Sequence, residues 1–258
     1  MNVISDKAIV SPKAKLGDNV KIGHFSIIDD DVEIGDNAEI HTCVRIHGGA
    51  RIAKGCRIFH SAVISSEPHD LKFGGEYTTL EIGENTVIRE FATISRGTGA
   101  AGKTTIGRDS YLMAYVHVAH DCVIGDNVIL PNVVNMGGHV TIEDWAIIGG
   151  LSAIHQFVKI GAHSFIAFGA RVTQDIPPYI LAGGTPMNYK GLNLVGLKRR
   201  GFTEDQIKYI KQTYNFVYGS KYNISDALKA VKDSVQMTDE VKNIIKFIET
   251  SERGIIRK

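Results

Sequence analysis

Stepping through the chain six residues at a time from Ile4 lands almost always on a large aliphatic side chain. From Ile4 to Val172, 26 of 29 steps carry Ile, Leu, Val or Met, and the exceptions are Asp70, Glu76 and Ala100. Chance would supply such a residue at about a third of the steps. The position two before each aliphatic is small or β-branched, as in Ala38, Val44, Ala50, Cys56 and Ala62. Glycine often follows the aliphatic, as at Gly17, Gly35, Gly107 and Gly149. A helix would smear a period of six around its surface, and simple alternation would show a period of two. A short strand plus a turn, repeated, fits. Three such units close one triangular coil, and coils stack about 4.8 Å apart with like residues in columns. The pattern predicts a parallel β-solenoid over residues 1–190.

Two stretches escape the period, near residues 66–80 and 96–105. Both are polar or glycine-rich and read as loops ejected from the solenoid, where binding residues tend to sit. Beyond Pro177 and Pro178 the spacing changes, and from about Leu192 it becomes helical. Thr203 with Gln206 three on forms a capping box, and Ile207, Ile210, Tyr214 and Val217 share one face. Ser225 and Thr238 read as the next two N-caps. Residues 191–258 are therefore expected to form a small helical domain. It is too small to be comfortable alone, so it should pack on the solenoid end or on a neighbouring subunit.

The 258 residues hold 29 Lys plus Arg against 28 Asp plus Glu. So balanced a charge argues against nucleic acid as a partner. No run of about 18 apolar residues is present to span a membrane, and the N-terminus lacks signal-peptide character. Cys43, Cys56 and Cys122 are too widely spaced for a disulfide framework or a zinc knuckle, so a cytoplasmic setting is expected.

The solenoid interior is aliphatic, so chemistry must lie outside it. His117, His120, His139 and His155 fall near one edge within about 10 Å, because Gly138 lies one coil above His120 and Gln156 one above that. A histidine is the simplest general base at neutral pH, and Asp121 beside His120 can fix its tautomer. Gly138 offers a backbone N–H unobstructed by Cβ, suited to an oxyanion. Five others, His24, His41, His47, His60 and His163, read as surface decoration. His117 and His120 are spaced too loosely to argue for zinc, so no metal is expected. No nucleophile elbow or Cys–His pair suggests a covalent acyl-enzyme.

The hexads resemble those of the hexapeptide-repeat transferases, which implies a left-handed β-helix and a homotrimer. The runs from His117 to Cys122, Gly138-His139-Val140 and Ile154-His155-Gln156-Phe157 resemble more narrowly the bacterial UDP-N-acetylglucosamine O-acyltransferases. So do Asp70-Leu71-Lys72-Phe73, Arg96-Gly97-Thr98, Asp175-Ile176-Pro177-Pro178-Tyr179 and the stretch from Gly196 to Phe202. This resemblance implies transfer of a 3-hydroxyacyl group from acyl carrier protein to the sugar 3-position, the first step of lipid A synthesis. The donor's phosphopantetheine carries the acyl group, and no other cofactor is implied. His120 would be the base, Asp121 its orienter and Gly138 the oxyanion donor. Asp70, Lys72, His117, His139, His155, Gln156, Asn193, Arg199 and Arg200 would bind the nucleotide sugar, and Phe168 would act as an acyl-length ruler. Val195, Ser95 and His69 depart from the family pattern. They leave open the 3-amino analogue of the sugar, or N-acylation of another nucleotide amino sugar.

Overall fold

The structure is a computed structural model that describes residues 1–219 and 223–258. Its strands are mostly two residues long and stack into three sheets of eleven, nine and eight strands. Each sheet forms one face of a triangular prism, here called A (eleven), B (nine) and C (eight). The chain visits A, B and C in turn, and neighbours within a face are parallel, the last pair of face A excepted, and typically 18 residues apart, as in Ile22 with Ile40 and Ile28 with Ile46. This is a left-handed parallel β-helix.

Aliphatics of the repeat point inward, and Ile46, Ile58, Ile64, Ile88, Leu112 and Leu130 are wholly inaccessible. Burying each such side chain contributes about 1.5–3 kcal/mol, so the column is the main source of stability. The corners turn through left-handed residues, many of them Asn or Asp, such as Asn19, Asn37, Asn85 and Asn127. These residue types tolerate that conformation best after glycine.

Both ejected loops leave the B–C edge and are shorter than expected. Strands Val63–Ser66 and Thr79–Ile82 bound the first, and strands Thr93–Ser95 and Lys103–Ile106 bound the second. Leu80 belongs to the core rather than to a loop, because its side chain is fully buried.

The last strands of face A are Ile180–Gly183 and the antiparallel Asn188–Leu192, so Leu192 ends a strand rather than starting a helix. Four helices follow: α1 Leu194–Arg199, α2 Glu204–Val217, α3 Ile224–Ser234 and α4 Asp239–Glu249. Thr203 makes the expected capping box and Thr238 caps α4. Ser225 is not a cap. The helix starts earlier, where the Asn223 side chain accepts from the N–H of Asp226. The helices seal the prism end through Tyr214, whose hydroxyl donates to the Pro178 carbonyl at 2.6 Å. A bridge from Asp175 to Ile255 adds to this closure. No helix among the described residues is long and apolar enough to cross a membrane.

Candidate active site

The B–C edge gathers both ejected loops and the turn that carries His120 and Asp121. Chain neighbours in a strand face opposite ways, but Asp121 has φ 59° and folds back beside His120. Their Nδ1 and Oδ2 are 2.8 Å apart. The Asp121 side chain is fully inaccessible. It accepts from the Thr98 N–H at 2.8 Å and the Thr98 hydroxyl at 2.7 Å, both supplied by the second loop. Burial alone would raise its pKa. The Thr98 and His120 hydrogen bonds and the His139 charge outweigh that effect and leave it below the usual carboxylate range. Asp121 is therefore a fixed anion. With Nδ1–H held on it, Nε2 of His120 is left as the acceptor nitrogen.

Gly138 lies against the His120 ring. A Cβ there would meet Cε1 at 2.5 Å and Nε2 at 2.8 Å, so no larger residue fits without moving the imidazole. The Gly138 carbonyl accepts from Phe157 N–H at 3.1 Å. His139 stands edge-on to His120 at 5.3 Å and stacks on Phe157 at 4.6 Å. Its Nε2 is 3.5 Å from the Asp121 carboxylate.

His117 projects from face B, with Nδ1 2.7 Å from the Thr93 hydroxyl and its ring stacked on His69 at 5.6 Å. Burial, and then the neighbouring imidazoles His69 and His120, lower its pKa and favour the neutral ring. His155 and Gln156 are exposed two coils on from His120 at the same edge, and Asp70 and Lys72 lie on the first loop. Burial pushes the Cys122 thiol up to about 12, which makes it an inert core group rather than a nucleophile beside His120.

The other candidates lie elsewhere in the chain. Asn193 caps α1 and donates to the His163 carbonyl at 2.9 Å. Arg200 sits 3.3 Å from His163 Nδ1 and over the Trp145 ring. These groups occupy the C–A edge. Arg199 is exposed there and, with Asn193, Val195 and Gly196, lines a cavity of about 380 Å³ floored by Ile147, Phe165 and Leu181 of face A. Phe168 is 73% exposed on the A–B edge. One chain therefore assembles the His120 cluster but spreads the remaining candidates over two other edges.

His163 is not surface decoration. It stacks between Trp145 and Tyr179, with Phe202 edge-on, and burial followed by the Arg200 charge pushes its pKa down to about 4. Its signal in the sequence was the 18-residue column shared with Trp145. Thr98 stands out in the sequence only as part of a motif, because nothing in a loop sequence reports its distance from Asp121.

Ring nitrogens of His120 and His139 and an Asp121 oxygen lie within 4.8 Å of one another, a spacing that a metal ion could bridge. The Asp121 oxygens already accept three hydrogen bonds at 2.8 Å or less, which a cation would have to displace.

Comparison with known proteins gives the family of the chain and supports its fold. A family profile described as UDP-N-acetylglucosamine O-acyltransferase, domain 2, matches residues 175–256, and the bacterial transferase hexapeptide profile matches residues 13–48 and 103–134. An acyl-[acyl-carrier-protein]--UDP-N-acetylglucosamine O-acyltransferase of Herminiimonas arsenicoxydans is 46% identical over 205 residues, 78% of each chain. The crystal structure of a Bacteroides fragilis UDP-N-acetylglucosamine acyltransferase superposes with TM-score 0.95 at 46% identity, covering 98% of this chain and 99% of that one. The Francisella novicida enzyme gives TM-score 0.96 at 38% identity, covering 99% of this chain and 94% of that one. The chain belongs to the UDP-N-acetylglucosamine O-acyltransferase family.

Proposed function

We propose that this enzyme moves a 3-hydroxyacyl group from acyl carrier protein to the 3-hydroxyl of UDP-N-acetylglucosamine, the opening step of lipid A synthesis, by direct attack. The observation that carries the mechanism is the His120–Asp121 pair packed on Gly138. Nε2 of His120 takes the proton of the sugar hydroxyl as its oxygen attacks the thioester carbonyl. The buried Asp121 anion stabilises the imidazolium that results. The Gly138 N–H stabilises the tetrahedral oxyanion. Collapse breaks the C–S bond, and the departing phosphopantetheine thiolate takes the proton back from His120. No cofactor beyond that carrier arm takes part. A cytoplasmic setting suits both substrates and the three unpaired cysteines.

Asp70, Lys72, His139 and Gln156 hold the sugar, with His117 and His155 lining the cleft. Asn193, Arg199 and Arg200 meet the nucleotide, where arginine suits phosphate oxygens. They lie on a different edge from His120, so a neighbouring subunit of a homotrimer supplies them. The A–B edge supports such packing, since Phe25, Tyr115, Leu151 and Phe168 are all more than half exposed along it. Phe168 would shorten the acyl pocket.

A second acceptor, the 3-amino analogue, stays open because three residues depart from the family pattern: Val195, which lines the same cavity as Arg199, His69 stacked on His117, and Ser95 buried against Ser66. The deciding assay combines purified enzyme, a length series of 3-hydroxyacyl carrier proteins and both UDP-sugars. Product mass identifies ester or amide and chain length together. No acyl transfer to either sugar would reject the reading.

A further inference from the structure

Glu76 belongs to the first ejected loop and ties it to the second. Its Oε1 accepts from the Gly99 N–H at 2.8 Å, and its Oε2 accepts from the Gly74 N–H at 2.8 Å. Its charge is stabilised by N–H groups, its own and that of Gly99 first. Gly99 adjoins Thr98, whose N–H and hydroxyl both go to Asp121. The same hydroxyl accepts from the Ala100 N–H at 3.2 Å, and the Thr98 carbonyl accepts from the Gly102 N–H at 2.7 Å. Thr98 is thus fixed by its own loop and, through Gly99, by Glu76. The first loop also carries Asp70 and Lys72, so one carboxylate joins the segment bearing sugar-binding groups to the segment that holds the Asp121 anion.

We propose that Glu76 is a positioning residue: by anchoring Gly99 it keeps both Thr98 donors on Asp121 and thereby sets the orientation of His120. The function assigned to Asp121 and His120 rests on the acyl-transfer reading. The tether itself does not. Thr98 fixes which face of the carboxylate is left for Nδ1 of His120. Glu76 fixes Thr98 and links it to the sugar-binding loop.

The test uses the full-length enzyme in steady-state acyl transfer. Thr98→Val keeps the N–H and loses the hydroxyl. It should lower kcat about tenfold and leave KM for the nucleotide sugar within about twofold, because Thr98 acts on the base and not on the sugar. Thr98→Ser should restore most of the rate. Glu76→Ala should also lower kcat about tenfold. In the double variant the two losses should not multiply, because both act through one contact. A Glu76→Ala enzyme with full kcat, or losses that multiply, would overturn the proposal. Amide exchange gives an independent readout. Glu76→Ala should speed exchange at Thr98 and Gly99 at least tenfold while the solenoid amides stay protected. Unchanged exchange at those two amides would overturn the tether even with activity lost. If the wild-type enzyme transferred no acyl group, the functional reading would fail, and the exchange comparison would still decide the tether.

Discussion

Nδ1 of His120 donates to the carboxylate of its own chain neighbour, Asp121, at 2.8 Å. Two adjacent residues can do this only where the chain turns, and the left-handed φ of Asp121 makes that turn. The pair is therefore built into one corner of one coil. It needs no distant segment to bring it together; Thr98 holds its carboxylate and the Thr104 hydroxyl accepts from the Asp121 N–H.

His120→Ala should fold as the parent does and lose roughly 10²–10⁴-fold in kcat, the usual contribution of a positioned general base. Asp121→Asn should fall within the same range, since an amide at 121 can no longer stabilise an imidazolium. Circular dichroism checks the fold and product formation the rate. More than a tenth of wild-type turnover in His120→Ala would reject the base assignment.

Gly138→Ala places a methyl group where the His120 ring now lies, 2.5 Å from Cε1. Its backbone needs no left-handed conformation, so folding should survive while kcat drops about a hundredfold through displacement of the base and the oxyanion donor. An alanine variant with normal kcat would show that the ring has room to move harmlessly.

His163 should make stability depend on acid. In the unfolded chain it binds a proton near 6.5, while in the folded chain burial delays this to about 4. The unfolded state therefore binds more protons in that window. The contribution of His163 is present above pH 6.5 and is lost as pH falls from 6.5 towards 4. Replacing His163 with Phe keeps the stack and should flatten the melting-temperature slope between pH 6.5 and 4.5. An unchanged slope would assign the acid sensitivity to other groups.

If neighbouring subunits complete each site, His120→Ala and Arg199→Ala enzymes, each inactive, should recover activity when unfolded together and refolded as mixed oligomers. Mixed oligomers carry some sites with neither lesion. No recovery from oligomers shown by mass spectrometry to be mixed would place the whole site within one subunit.

Phe168→Gly should move donor preference towards longer acyl chains in competition assays read by product mass. An unchanged chain-length profile would remove Phe168 from the acyl pocket.

The solenoid was legible because every coil repeats a local rule: inward aliphatic, small partner, turn. Ile22 and Ile40 need no knowledge of distant sequence to find each other. The juxtaposition of His120 with Gly138 was legible for the same reason, being one coil step. Thr98 and Glu76 were not, because the ejected loops follow no period and their reach depends on where they fold back. The start of α3 is ambiguous in the sequence because Asn223 and Ser225 offer the same capping chemistry. Only the structure shows which side chain reaches an amide. The burial of His163 is not legible because a histidine at a corner looks exposed until the rings of Tyr179 and Phe202, supplied from beyond the repeat, close over it.

The corners hold one more consequence. A left-handed backbone suits Asn, Asp or Gly and costs other residues on the order of 1 kcal/mol. The C–A edge largely obeys, with Asn19, Asn37, Asn85, Asp109 and Asn127. The A–B edge does not, placing Phe25, Phe91, Tyr115, Val133 and Leu151 in the same strained conformation. Asparagine at those five corners should relax the isolated chain while stripping the apolar ridge from that edge. A variant that melts higher as a monomer yet no longer associates would show that this ridge is retained for assembly at the expense of the backbone beneath it.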